Sequence, residues 1–311
     1  MIPLLIGISF LCFVILQLSP GNFVLSLTSG DQFSEELRRQ ITHEFGLDKP
    51  WPIQYLLWLG NALRLNFGGS LATREPVAAM LWERAGNTLL LSLCSLLFAW
   101  GLAIPLGIIT AVKRNSLVDR ACSLFAFGGI SVPGFFLALI ALLFAQRSGL
   151  FPVGGMHSAD YDDLTTSRRF LDLVHHLVLP TLVLGIAGCA GIMRQMRGSL
   201  LDTLRENYIT AARARGLSER KVVLKHAVRN AINPLITLFG FSLAGLLSGA
   251  ALVENVMAWP GLGRLILDSV QSKDVYMVMG SFMMGALMLM LGNLLSDVLL
   301  AVTDPRIRLG R

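Results

Sequence analysis

RQMRGSLLDTLRENYITAARARGLSERKVVLKHAVRNAINP, residues Arg194–Pro234, is a basic stretch of about forty residues between two apolar segments of membrane length. Leu200, Leu201, Leu204, Ile209, Ala211 and Ala212 alternate with Arg205, Arg213 and Arg215 in a helical pattern. Gly216 breaks that pattern, and Ser218 is placed to cap a second helix. The second helix runs through Val222, Val223 and His226 to Asn230-Ala-Ile-Asn-Pro234, where the next apolar segment begins. A short helix joined rigidly to two membrane spans can carry movement between a soluble partner and the bilayer. The competing reading is a basic helix pair held on the surface by anionic lipid. The length, the internal glycine and the Ala-Ala-Arg-Ala-Arg-Gly run favour a docking helix.

Outward from this stretch the chain is membrane protein. Of its 311 residues 54% are hydrophobic and only 15% charged, with a mean hydropathy of +0.63. A soluble domain carries about 25% charged residues. Six segments have the roughly 20 apolar residues that a span requires: 2–19, 88–112, 121–145, 177–193, 235–256 and 277–302. The first is longer than a typical signal-peptide core and no A-x-A-like site follows it, so it is read as a retained helix. The third contains Gly128-Gly129-Ile130-Ser131-Val132-Pro133-Gly134, which predicts a kink or a close helix contact. The fourth contains Gly185, Gly188 and Gly191, small residues that let helices approach closely in lipid.

Charge asymmetry sets the orientation. Lys113, Arg114 and Arg120 face Asp119 alone in one loop, and nine basic residues face Asp202, Glu206 and Glu219 in the 194–232 loop. The tail adds Arg306, Arg308 and Arg311 against Asp304. Residues 20–87 hold six basic and seven acidic residues, and residues 146–176 hold three and four, so neither is biased. Both termini and the 194–232 loop are therefore expected in the cytoplasm. Topology accounts for the net charge of +6, and no nucleic-acid partner is expected. Cys12, Cys94, Cys122 and Cys189 all sit in apolar runs, as small buried side chains do, with no disulfide or metal spacing.

The external 20–87 segment is expected to hold a helix capped by Ser34, with Leu37, Ile41 and Phe45 on one face and a stop at Gly46. Pro50-Trp51-Pro52 starts a second amphipathic run with Tyr55, Leu56, Leu59, Leu63 and Phe67. Trp51, Tyr55 and Trp58 suit a membrane–water interface. The segment is either a cover over a pore or a helix packed on the spans. In the 146–176 loop, Asp160-Tyr-Asp-Asp163 reads as a solvated acidic turn, with a cationic partner as the alternative. Adjacent His175 and His176 have poor geometry for a shared metal.

Glu254 and Asp297 are ionisable groups within spans, where burial is expensive. Structural pairing is the favoured reading for both, Asp297 with a basic residue of the 194–232 loop. An intramembrane enzyme would need two acids at one depth, and these two lie towards opposite faces. Six of the twelve methionines, Met277, Met279, Met283, Met284, Met288 and Met290, fall in the sixth span in a core-filling pattern, with a soft-metal path as the alternative. The chain has no G-x-x-x-x-G-K-[ST], no H-E-x-x-H and no G-x-S-G.

Thr210-Ala211-Ala212-Arg213-Ala214-Arg215-Gly216 resembles the E-A-A-x-x-x-G core of ABC-importer permeases, with Thr in place of Glu. His226-Ala227-Val228-Arg229-Asn230-Ala231 has the H-x-x-R-N-A form of the dipeptide/oligopeptide/nickel branch. The run from Glu254 through Trp259-Pro260-Gly261-Leu262-Gly263 resembles that branch's signature after the fifth span, and the chain is most similar to its first, B-type permease. Leu18-Ser19-Pro20-Gly21, Phe45-Gly46-Leu47-Asp48-Lys49-Pro50 and Asp304-Pro305-Arg306-Ile307-Arg308 match as well. Asn22 departs where many relatives have Asp, and the Arg-rich start of most relatives has no counterpart.

The resemblance implies an all-α integral membrane protein with six transmembrane helices, the type I ABC importer permease fold and an external amphipathic segment after the first helix. Its parts would be residues 1–86 (first helix and periplasmic segment), 87–304 (a five-helix core containing the coupling loop 194–232) and 305–311 (cytoplasmic tail). It implies a coupling helix at Thr210, Ala211, Ala212, Arg213, Arg215, Gly216 and Leu217, and signature residues Glu254, Trp259, Pro260, Gly261 and Gly263. The implied partners are a second homologous permease, two cytoplasmic ATPases that carry ATP and Mg, an extracytoplasmic solute-binding protein and membrane lipid. The chain itself would bind no cofactor and catalyse nothing. Peptides are the expected cargo, with nickel or another small solute or metal complex as the alternative, and the inner membrane is the expected location.

Overall fold

The computed structural model describes residues 2–18, 49–70, 72–73, 75–272 and 274–303. The expected helix from Ser34 to Gly46, the turn after Leu18, most of the Phe45–Pro50 motif and the closing Asp304–Arg308 motif lie outside the described residues. Among the described residues the structure is helices joined by turns and loops, with one isolated bridge, Gly69 to Pro76.

A helix covers every one of the six expected apolar segments. α1 is Ile2–Leu18 and α2 is Trp51–Ala62. α3, Val77–Val112, starts well before the expected 88 because Val77, Leu81 and Ala85 continue a buried face past the apolar run. The third segment is two helices, α4 (Leu117–Ser131) and α5 (Gly134–Ser148). The expected kink is a complete break. Val132, which precedes a proline, is extended at φ −94°, ψ 119°, and Pro133 has no N–H to continue the ladder. α6 spans Thr166–Thr203, and its 38 residues measure about 57 Å at 1.5 Å per residue. Since a hydrocarbon core is about 30 Å thick, α6 projects beyond it. α7 is Asn207–Ala214, α8 Glu219–Lys221, then a π-helical segment Val222–Ala227, α9 Val228–Ala231 and α10 Asn233–Val256. α11, Leu262–Gln271, and α12, Val275–Thr303, complete the chain. Val77–Val112, Thr166–Thr203 and Val275–Leu295 are each long and apolar enough to cross a bilayer.

The chain divides into two compact units, one of residues 1–87 and 261–288, the other of residues 88–260 and 289–311. In the first unit α2 packs on α1. The Tyr55 hydroxyl lies 2.9 Å from Ser9 Oγ and donates to the Ile6 carbonyl, and its ring meets Phe10, Phe13 and Trp58. Of the three expected interface aromatics, Tyr55 and Trp58 are therefore buried and Trp51 alone is exposed. Asp274, buried just before α12, ties the 70–73 segment down. Its carboxylate accepts from Ser70 Oγ (2.6 Å) and the Ala72 amide (3.2 Å), and it caps α12 through the Met277 amide (3.1 Å). We expect Asp274→Ala to cost about 2–3 kcal/mol, because it orphans the buried Ser70 hydroxyl and Met277 amide and frees the Ala72 amide. A thermal melt of the purified chain in detergent checks this. The six methionines of α12 are buried or half-buried, with Met277 and Met279 at 2% exposure, so they fill core.

In the second unit α6 is the central helix. A Cβ on Gly107 of α3 would sit 2.7 Å from Met196 Cβ and 2.9 Å from the Met193 carbonyl, and one on Gly129 of α4 would sit 3.3 Å from Ile186. Of the three glycines read from α6, only Gly185 demands the absence of a side chain, where Phe98 fills the space. Gly188 has ordinary contact with Ala99, and Gly191 faces open space.

Candidate coupling site

α7 carries an apolar face only two residues wide. Ile209 and Ala212, three positions apart and so on one side of the helix, are buried in a cluster with Ala111 of α3, Ala126 of α4, Met196 and Leu200 of α6, Val222 and Ala227 of the π segment and Leu235 of α10. Tyr208, Thr210, Ala211, Arg213, Ala214, Arg215 and Gly216 are exposed, and Leu217 is half-buried against the same cluster. The expected site residues thus separate. Thr210, Ala211, Arg213, Arg215 and Gly216 form the outer surface, while Ala212 and Leu217 hold the helix to the core.

The turn after α7 follows from Gly216, whose φ of +75° is a left-handed conformation open to glycine at little cost. Its amide donates to the Arg213 carbonyl (2.9 Å). Ser218 occupies the expected cap position, but through its backbone: its carbonyl accepts from Lys221 and Val222, and its hydroxyl makes no cap bond. Arg213 grips Glu219 in a two-pronged pair of 2.7 and 3.1 Å that spans the Gly216 turn. Both side chains are about half exposed, so the pair is worth at most about 1 kcal/mol. Asn230 Nδ2 donates to the Tyr208 hydroxyl (2.7 Å), closing the start of α7 onto α9.

Beside this platform stands an ion pair that the sequence reading did not single out. Arg197 of α6 donates through Nε (3.0 Å) and Nη2 (2.9 Å) to the two oxygens of Asp119 at the start of α4. The Asn115 amide donates to the same carboxylate (2.9 Å), and the Asp119 amide itself donates to Ser116 Oγ. The hydrogen bonds from Arg197 hold the Asp119 carboxyl below its ordinary value of 3.8. Because the folded value lies below the unfolded one, the pair's contribution is complete above about pH 4 and lost as the pH falls through the folded value. Melts in detergent between pH 7 and pH 3 are expected to show an acid-side loss of stability that Asp119→Asn removes.

The signature residues occupy different places. Glu254 is fully buried in α10 and accepts from Thr88 Oγ1 at 2.6 Å, a structural pairing as expected. Asp297, by contrast, is exposed and makes no ion pair with the 194–232 loop among the described residues. Trp259 and Met257 are buried beside Leu91, Leu179 and Val183. Ala258 between them is left-handed at φ +54°. The Gly155 amide donates to the Met257 carbonyl (2.9 Å), and Gly154 at φ +100° leaves no room for a Cβ, which would lie 2.7 Å from that oxygen. Gly261 caps α11 in extended conformation, and Gly263 follows half-buried in its first turn. His175 and His176 have separate partners, the Leu150 and Asp172 carbonyls. Of the acidic turn, Tyr161–Asp163 is a single 3-10 turn, with the Arg169 guanidinium donating to the Asp162 carbonyl and packing over Tyr161.

A cavity of about 630 Å³ opens in the second unit. Its wall includes Leu96, Ala99, Gly134 and Phe135, and its polar lining comes from Gln195 and Ser242.

This helical architecture has a solved counterpart. The solved MetNI methionine ABC transporter, in an inward facing conformation, is similar to it with a TM-score of 0.59 at 18% identity, over 72% of this chain and 96% of that one. Residues 103–309 match the family described as binding-protein-dependent transport system inner membrane component. The oligopeptide transport system permease protein AppB of Bacillus subtilis is 38% identical over 98% of this chain and 96% of its own length. The dipeptide transport system permease protein DppB of Escherichia coli K12 is 37% identical over 99% and 96%. The chain belongs to this family of inner-membrane transport permeases and has the type I ABC importer permease fold.

Proposed function

We propose that this chain is the B-type permease of an ATP-driven importer of peptides. With a second homologous permease it lines the pathway across the cytoplasmic membrane, both termini inside. Two ATPases bind from the cytoplasm, and a solute-binding protein delivers cargo from outside. α7 is the coupling helix, its surface of Thr210, Ala211, Arg213, Arg215 and Gly216 pressed into the ATPase.

The observation that carries this reading is the mounting of α7. Ile209 and Ala212 anchor it in one cluster with α3, α4, α6 and α10. A push on its outer face is therefore delivered to the ends of α3, α6 and α10, which line the cavity. Interiors packed in this way transmit strain because they have little free volume. Absence of a P-loop fits the same division of labour, with ATP hydrolysed on separate subunits. Peptide cargo follows from the names of the similar permeases, which are oligopeptide and dipeptide systems.

The test is uptake by cells from which the gene for this chain is deleted and then restored. Uptake of labelled di- and tripeptides is expected to fall on deletion and return on restoration, with labelled nickel uptake unchanged. Loss of nickel uptake with peptide uptake intact overturns the peptide assignment.

A further inference from the structure

α7 shares its buried cluster with Leu200 of α6, one turn from Arg197, and Arg197 is clamped to α4 at Asp119. α4 ends at the Val132–Pro133 break, and the next residues, Gly134 and Phe135, line the cavity. We infer that the Asp119–Arg197 pair is a positioning device that carries displacement of α7 and the end of α6 to α4, and so to the cavity wall at Gly134 and Phe135. The inference rests on α7 being the docking site for the ATPase.

Three features suit the pair to that work. The contact is two-pronged, so it fixes the orientation of the two groups as well as their separation. The Asp119 carboxylate is almost fully buried, so water does not replace Arg197 cheaply. Its other partners lock it to the α3–α4 corner: the Asn115 amide, presented by a left-handed residue at φ +62°, and Ser123 Oγ at 3.5 Å. α4 also meets α6 at Gly129 and Ile186, two residues before α4 ends, so its far end rests on α6 as well. A shift at the Arg197 end is thus carried along α4 as a rigid helix to Ser131, and through the short Val132–Pro133 link to Gly134 and Phe135 at the start of α5.

The experiment uses the whole importer in membrane vesicles. Phe135→Cys is introduced into a chain whose Cys12, Cys94, Cys122 and Cys189 are alanine, and the maleimide labelling rate of the new thiol is compared without nucleotide and with a non-hydrolysable ATP analogue. With the pair intact the two rates are expected to differ about fivefold or more, the lower range of allosteric couplings. In Asp119→Asn the difference is expected to shrink below about twofold, while the ATPases stay bound and ATP is still hydrolysed. Arg197→Lys keeps the charge but loses the fork, and is expected to fall between. Peptide imported per ATP hydrolysed should drop alongside, a ratio that simple loss of folded complex does not change. A full-sized difference in both variants, or none in the unaltered chain, overturns the inference. If the ATPases stay bound to an Ala211→Trp chain, it is the docking assignment of α7 that fails.

Discussion

Ala211→Trp is expected to remove ATPase association and peptide uptake by about tenfold or more, the effect of spoiling the centre of a protein interface, while the chain still accumulates in the membrane. Ala211 is exposed on α7, so the indole adds bulk outward and leaves the cluster beneath untouched. The neighbouring Ala212→Trp is the contrast. Ala212 points into the cluster at 8% exposure, and overpacking there costs about 1–3 kcal/mol or more, so the chain itself should become scarce. Co-purification of the ATPases, with chain abundance measured by immunoblot, separates the two. Equal ATPase recovery with Ala211→Trp and the unaltered chain sinks the docking assignment.

The second large effect is expected at Gly154→Val. The backbone there is left-handed at φ +100°, where a β-branched residue is strained, and any Cβ lies 2.7 Å from the Met257 carbonyl. That carbonyl accepts the Gly155 amide beside buried Trp259, so relief of the clash breaks the contact that holds the 151–155 loop to the signature segment. Strain and the lost hydrogen bond together are expected to cost about 3 kcal/mol or more. The readout is a lower melting temperature and rapid proteolysis in the 151–160 loop. Gly155→Ala, where the nearest atom is the His157 carbonyl at 3.8 Å, is expected to be milder, since only its φ of +80° is strained. Equal melting temperatures for Gly154→Val and the unaltered chain contradict this account.

Apolar run lengths placed a helix on each of the six expected segments, but they marked only the later part of α3 and the middle of α6. Beyond the bilayer one face of each helix stays buried while the other turns polar, and such one-sided stretches lower mean hydropathy without ending the helix. The Trp51–Ala62 helix showed the same ambiguity. Its aromatics suit an interface, yet the hydroxyl of Tyr55 finds Ser9 and Ile6, and the rings pack on α1. Asp274 had a weak local signal, an acidic residue directly before an apolar run. Its partner Ser70 lies 204 positions away and had none.

By itself the sequence determined what is local. Pro133 stops α4, Gly216 ends α7, and the apolar content assigns the chain to lipid, because proline geometry, glycine freedom and hydrophobic transfer act within a few residues. It left Ala211 and Ala212 equivalent, adjacent and alike in chemistry. Tertiary structure decided that one faces outward and the other inward, which glycines need to be glycine, and that Arg197 meets Asp119 across 78 positions. Those outcomes depend on which surfaces the packed helices bring together, and no short window of residues records that.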